Sequence, residues 1–304
     1  MAAPSPVVEF HALTKRYGRT TALDGLDLRV DRGEVFALLG ANGAGKTTAV
    51  KVLLGLTRPT SGGGALLGLP FGDPESRRRV GYMPELFRYQ GWLTGGEVLR
   101  LHAELSGLAP ERWAEEIDSV LATADLRNRA DDRVSTYSKG MQQRLGLAVA
   151  LLGRPDVVVL DEPSTALDPL GRHELRGTIR GLRELGTTVI LNSHQLTEVE
   201  QVCDRVAIIH LGRLLALGAL SELLVAGGIR LRATGLSPAA EEQLARAGEG
   251  GLDRDGPWLI VRGATEEQIP ELVEMIVRSG GRLYGVELMH PTLEDRFRQL
   301  LGSA

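Results

Sequence analysis

An α/β fold followed by a small α+β appendage is predicted by three features of this 304-residue sequence. First, an apolar run at 35–39 leads into a glycine-rich loop and then into a helical pattern. Second, apolar runs at 157–160 and 188–191 follow helical stretches and end in polar, chemistry-bearing residues, the rhythm of a parallel sheet. Third, from about residue 221 strand-like and helix-like segments alternate without a second copy of the loop.

Composition sets the bounds. The chain is long enough to bury a full core and divide into two domains. A net charge of −4 and a pI near 5.9 argue against a surface that clamps nucleic acid throughout. The one cysteine, Cys203, excludes an internal disulfide and reads as a small core residue. The start, Met-Ala-Ala-Pro-Ser-Pro, is polar and proline-rich, unlike a signal peptide. Apolar runs such as 147–152 fall well short of the ~20 residues that a spanning helix needs.

In chain order, residues 7–10 and 26–30 read as alternating strands around a turn at Tyr17-Gly18. Tyr17 lies just upstream of the loop, where its ring either stacks on a nucleotide base or serves as an ordinary strand residue. The strand at 35–39 then enters Gly40-Ala41-Asn42-Gly43-Ala44-Gly45-Lys46-Thr47-Thr48, which fits a phosphate-binding loop. Glycines let backbone N–H groups turn inward around phosphate oxygens, and the helix expected from Thr48 to Leu54 adds partial positive charge at its start. Lys46 supplies a point charge for the outer phosphates, and the Thr47 hydroxyl is placed to ligate Mg²⁺. The pattern implies binding of a nucleoside triphosphate.

Past the loop, a strand-like run ends at Met83 and is followed by Pro84 and Glu85. Glu85 either holds a Mg²⁺-bound water or is a solvated loop acid. Phe87, Tyr89 and Trp92 then concentrate rings in a chain that is 4% aromatic, so they pack either on the protein's own helices or on a partner. Segments 95–106 and 110–124 carry Val98, Leu101, Leu105, Ile117, Val120 and Leu121 at helical spacing, and a helical subdomain is expected over about 86–155. Ser138 suits the cap of a helix with apolar face Met141, Leu145, Ala148, Leu151 and Leu152. With Gly140 beside it, that helix start is either a second anion site or simply a well-capped helix.

Asp161 and Glu162 end the run at 157–160. Two acids at a strand end beside a phosphate loop suit a metal ligand, Asp161, and a general base for an attacking water, Glu162. A polar turn at 164–168 ends in Asp168. His194 follows the next apolar strand, at the edge where parallel sheets present ligand sites, and is read as a sensor of the terminal phosphate. Beyond residue 221, strands are expected at 229–233, 258–262 and 282–288, each followed by a helix. Capping boxes are expected at Thr265/Gln268 and Thr292/Asp295.

Taken together, residues 7–224 resemble the ATP-binding subunit of an ABC transporter. Tyr17 matches the family's adenine-stacking aromatic, and Gly40 to Thr48 match its Walker A loop. Glu85 stands where a glutamine is usual. Ser138 and Gly140 match the signature motif, whose usual form is Leu-Ser-Gly-Gly-Gln, with departures at Tyr137, Lys139 and Met141. Asp161 and Glu162 match Walker B and its glutamate, the turn ending in Asp168 the D-loop, and His194 the switch histidine. The resemblance implies an ABC ATPase domain over 1–220, with an antiparallel β subdomain and a helical one, and an accessory or regulatory domain over 221–304. It also implies ATP and Mg²⁺ as cofactors, a head-to-tail homodimer, and a separate membrane permease holding the chain at the cytoplasmic face. No nucleic-acid partner is expected. A finer resemblance, to ATPases that serve nitrous oxide reductase maturation through copper or sulfur delivery, rests on segments at 82–85, 137–147, 230–235 and 290–295. Drug- or ion-export ATPases are the alternative, and behind them a non-transport ABC ATPase acting on DNA or ribosomes.

Overall fold

The computed structural model describes residues 6–86, 88–224, 227–248, 250–289 and 292–302. They form two compact units, Met1–Gly218 and Ala219–Ala304.

The first unit opens with two long strands, β1 (Pro6–Tyr17) and β2 (Thr20–Asp31), paired antiparallel. Both outrun the short strands expected, because alternation continues through bulges that keep Leu13, Leu23 and Leu26 inside. Next come β3 (Val35–Leu39), α1 (Lys46–Leu53), β4 (Ser61–Leu66), β5 (Leu69–Pro70), α2 (Pro74–Arg77) and β6 (Val80–Met83). Strand β3 is the one expected, while α1 begins at Lys46, two residues early. The helices α3 (Gly95–Leu105), α4 (Trp113–Thr123) and α5 (Lys139–Leu151) follow, then β7 (Val157–Asp161), α6 (Pro169–Glu184), β8 (Thr188–Ser193), α7 (Leu196–Val202), β9 (Arg205–His210) and β10 (Arg213–Ala219).

Two sheets result. An antiparallel sheet has the order β2-β1-β4-β5, and a six-stranded one has the order β10-β9-β3-β8-β7-β6. In the second, β9, β3, β8, β7 and β6 run parallel. Strands β3, β7 and β8 are buried at every residue, which is why they read as unbroken apolar runs rather than alternation. Their carboxyl ends lie side by side; β7 ends in Asp161, and Gly40 and His194 directly follow β3 and β8.

Helix α3 is fixed at its start by a capping box, with Thr94 accepting from the Glu97 amide at 3.2 Å and Glu97 accepting from the Thr94 amide at 2.8 Å. Its inward face differs from the one expected. Val98, Leu99 and Ala103 are buried, whereas Leu101 and Leu105 are exposed, Leu105 at 74%. The period was right, but spacing alone does not say which stripe meets the core.

The second unit contains α8 (Leu220–Leu223), β11 (Gly228–Thr234), α9 (Pro238–Ala247), β12 (Leu252–Asp255), β13 (Trp258–Arg262), α10 (Ile269–Arg278), β14 (Arg282–Met289) and α11 (Leu293–Gly302). Its sheet, β12-β13-β11-β14, is antiparallel throughout. Ile229, Leu231, Leu259 and Val261 from the strands meet Leu244, Leu272 and Ile276 from α9 and α10 in a core of its own. Thr292 and Asp295 exchange both expected capping bonds, and the Gln268 side chain accepts from the Thr265 amide at 2.8 Å.

Candidate nucleotide site

The loop between β3 and α1 is held from behind by backbone. A Cβ on Gly40 would stand 2.3 Å from the Ile209 carbonyl oxygen, and one on Gly45 would stand 2.4 Å from that of Ala22. Gly45 also has φ of 109°, a conformation that L side chains rarely adopt. At these two places glycine is required by the fold as well as by any ligand. The Gly212 amide donates to the Ala44 carbonyl at 2.9 Å, tying the loop to the β9–β10 turn. Helix α1 has no side-chain cap, so the amides of its first turn are left to an outside acceptor.

In front of the loop lies a cavity of about 430 Å³. Ala22 of β2 and residues 42–48 line it together with Glu85, Asp161, Glu162, Asn192 and His194. Residues as far apart in sequence as Ala22 and His194 are thereby brought to one place.

Lys46 is buried, and its ammonium donates to the carbonyls of Gly40 at 2.7 Å and Ala41 at 3.4 Å. Burial lowers its pKa, while the nearby carboxylates of Glu162, Asp161 and Glu85 pull it back up. Asp161 shows the converse. Burial pushes its carboxyl up to about 6, helped by Glu85 and Glu162, against a hydrogen bond from Asn192 and the charge of Lys46. This crowding of acids on one amine leaves the cavity short of positive charge. Thr47, Glu85 and Asp161 offer only oxygen donors, which suit a hard cation such as Mg²⁺. Among the described residues no three or more His, Cys, Asp or Glu side chains form a metal cage by themselves.

Glu162 is a left-handed residue, φ 51°, at the end of β7, with its amide donating to the Asn192 carbonyl at 2.8 Å. Such a conformation in a non-glycine residue costs on the order of 1–2 kcal/mol and is common where function fixes the chain. His194 Nδ1 lies 2.8 Å from Glu162 Oε1, while Glu162 Oε2 is buried with no hydrogen-bond partner. One oxygen is thus oriented and the other left open.

Other expected site residues lie elsewhere. Tyr17 ends β1, is 48% exposed, and carries the Lys15 ammonium 4.8 Å above its ring; it is outside the cavity lining. Ser138 caps α5 by accepting from the Met141 amide at 3.2 Å, and Asp168 caps α6 by accepting from the Gly171 amide at 2.8 Å. Both are exposed, and Gly140 sits beside the turn before α6. None of the three lines the cavity. Tyr137, a departure from the signature pattern, is buried, with its hydroxyl donating to the Arg129 carbonyl at 2.6 Å. It locks the start of α5 to the preceding loop and leaves Ser138 outside.

Two residues escaped sequence reading. Asn192 is 1% exposed and donates through Nδ2 to Asp161 Oδ1. Gln143 on α5 donates to the carbonyls of Glu162 at 3.1 Å and Pro163 at 2.9 Å. Their only advance signal is a polar residue where an apolar one fits the pattern.

Comparison with known proteins agrees with this geometry. A family model described as ABC transporter matches residues 23–165. An uncharacterised ABC transporter ATP-binding protein of Synechocystis is 40% identical over 93% of this chain and 79% of its own length. The Nod factor export ATP-binding protein I of Burkholderia thailandensis is 42% identical over 70% of each chain. A solved ATP binding subunit of an ABC transporter superposes with a TM-score of 0.67 and 33% identity, covering 71% of this chain and 91% of that one. The finer resemblance to nitrous oxide reductase maturation gains no support from these relatives.

Proposed function

This chain belongs to the ABC transporter ATP-binding family, and within it we propose the subunit that powers export through a separate membrane permease. ATP hydrolysis is its reaction. The observation that carries the site assignment is the meeting of loop 42–48, Glu85, Asp161, Glu162 and His194 in one cavity. In the proposed roles, the first-turn amides of α1 and Lys46 hold the phosphates, Lys46 exchanging its carbonyl partners for phosphate oxygens. Glu162 takes a proton from the attacking water through its open oxygen, while His194 fixes the other oxygen and lies where the terminal phosphate would be sensed. Thr47, Asp161 and Glu85 would hold Mg²⁺, directly or through water; when bound, that ion neutralises charge on the phosphates.

Ser138, Gly140 and Asp168 are not among the residues that line the chain's own cavity. Their proposed role is to complete the site of a second copy, head to tail, so that two helix N-termini meet one ATP. Tyr17 is proposed to stack on adenine from the cavity's edge. Among the described residues no helix is long and apolar enough to cross a membrane, so attachment to the cytoplasmic face would come through the permease. Export is favoured over other directions by the likeness to Nod factor export proteins. Copper or sulfur delivery is the second reading; part of its segment at 290–295 lies outside the described residues.

Glu162→Gln should keep ATP binding and lower turnover by roughly 10²–10⁴-fold, the usual worth of a general base. Lys46→Ala should weaken nucleotide binding itself. Near-normal turnover in the Glu162 variant would remove it from the role. Purifying the complex from native membranes and identifying its companion chains tests the permease and the cargo. Recovery with ribosomes instead would overturn the transport reading.

A further inference from the structure

Asn192 has no assigned role, yet its surroundings limit what it can do. It sits at the end of β8, paired in register with Asp161 on β7. Its amide nitrogen donates to Asp161 Oδ1, and that bond fixes the orientation of the group, since the reverse would set oxygen against oxygen. Its own Oδ1 is then left buried and without a donor. Within the same cavity only one other side chain has such an atom among the described residues, Glu162, whose Oε2 is likewise buried and without a donor. The two residues are joined through the backbone, Glu162 N–H to Asn192 C=O. A buried acceptor without a donor is costly, and two of them beside a phosphate loop call for a ligand that brings two donors. Water is such a ligand.

We propose that Asn192 is a second water-positioning residue, whose Oδ1 accepts one O–H of the attacking water while Glu162 Oε2 accepts the other. This inference rests on the reading of the chain as an ATPase with Glu162 as base. With both hydrogens engaged, the lone pairs of the water oxygen are turned away from the two acceptors, toward the terminal phosphate. As the oxygen bonds to phosphorus, the bond from phosphorus to the bridging oxygen breaks and that electron pair leaves on ADP. One water proton passes to Glu162, and the other stays on the new phosphate, still held by Asn192. Asp161 takes part without touching the water, by keeping the asparagine oxygen outward.

Two variants and two analogues test it. Asn192→Leu keeps the shape and removes the acceptor; Asn192→Ser retains a hydroxyl for Asp161 but is too short to reach the water. In each, kcat should fall by roughly 10²-fold, as on loss of one oriented hydrogen-bonding group at a reacting centre, with Kd for ATP within about threefold. Binding should also divide by analogue. With Mg²⁺, ADP–aluminium fluoride mimics the attacked phosphate and ADP–beryllium fluoride the ground state. The variants should lose at least tenfold in affinity for the first and little for the second. Equal weakening of both would place Asn192 with the metal and nucleotide through Asp161, and would overturn the proposal. A kcat within twofold of the parent would overturn it too. If the leucine variant melts early, the serine variant decides. A parent chain that neither binds nor hydrolyses ATP would instead overturn the underlying reading.

Discussion

Glu162 depends on contacts from three directions: the left-handed backbone at the end of β7, His194 on one oxygen, and Gln143 on its carbonyl. The last of these predicts a phenotype outside the cavity. Gln143→Leu would leave the buried carbonyls of Glu162 and Pro163 without their donor, each worth about 1–3 kcal/mol if water cannot replace it. At roughly 2–4 °C per kcal/mol for a unit of this size, Tm should fall by several degrees, and kcat should fall with it because Glu162 is no longer held. Calorimetry and a steady-state assay on the same preparation check both; unchanged kcat with a lowered Tm would reduce Gln143 to a structural part. The loop and the two acids were legible because their spacing is itself the chemistry. Asn192 and Gln143 were not, since their partners lie 31 and 19 or 20 positions away and are supplied by strand pairing and helix packing. Burial of Cys203 was legible from its type alone, and burial raises its thiol pKa.

Among the elements, the loop after Glu85 divides what the sequence grouped. Phe87 lies outside the described residues. Tyr89 is half-buried with its ring edge-on to His102 of α3, centroids 5.9 Å apart, and burial raises its pKa. Trp92 is 72% exposed. Tyr89→Ala should therefore lower Tm measurably, and Trp92→Ala should leave it within about 1 °C. If the exposed Trp92 packs on a permease partner, its variant should recover less permease from membranes, and full recovery would end that role. Asp156, just before β7, offers a pH test at the same scale. Arg79 at 2.7 Å and Arg32 at 3.2 Å hold its carboxyl below its usual 3.8. A depressed carboxyl stabilises the fold above its unfolded pKa and loses that contribution as pH falls through the native one. Asp156→Asn should thus cost about 0.5–1 kcal/mol near neutrality, a modest sum because the pairs are partly exposed. The difference should vanish toward pH 2 in denaturant titrations. Helices α3, α4 and α5 and the buried strands β3, β7 and β8 were legible from period and apolar runs; α6, α7 and β9 were not singled out. The short α2 was not, and neither was β12, where Leu-Asp-Arg-Asp leaves three of four residues exposed on a sheet edge.

For the molecule as a whole, the two cores share no residue, and every side chain of the nucleotide cavity precedes residue 219. A chain ending at Leu220 should accordingly fold and bind ATP within a few-fold of the full length; a folded truncation that bound none would move the proposed accessory role into the site itself. Relatives that match 92–93% of the chain extend into the second unit, so its presence is not peculiar to this sequence. Its alternation of strands and helices was legible, but not its purpose, because its described residues form no recognisable chemical motif. One detail of the first unit bears on how the second could be informed. The Gly212 amide is fastened to Ala44 in the phosphate loop, and β10 runs from the next residue to Ala219, where the second unit begins. That single proton is a gauge built into the chain. Nucleotide that stiffens the loop should slow its exchange with deuterated solvent, and the retardation should spread along the amides of β10, which can be timed residue by residue.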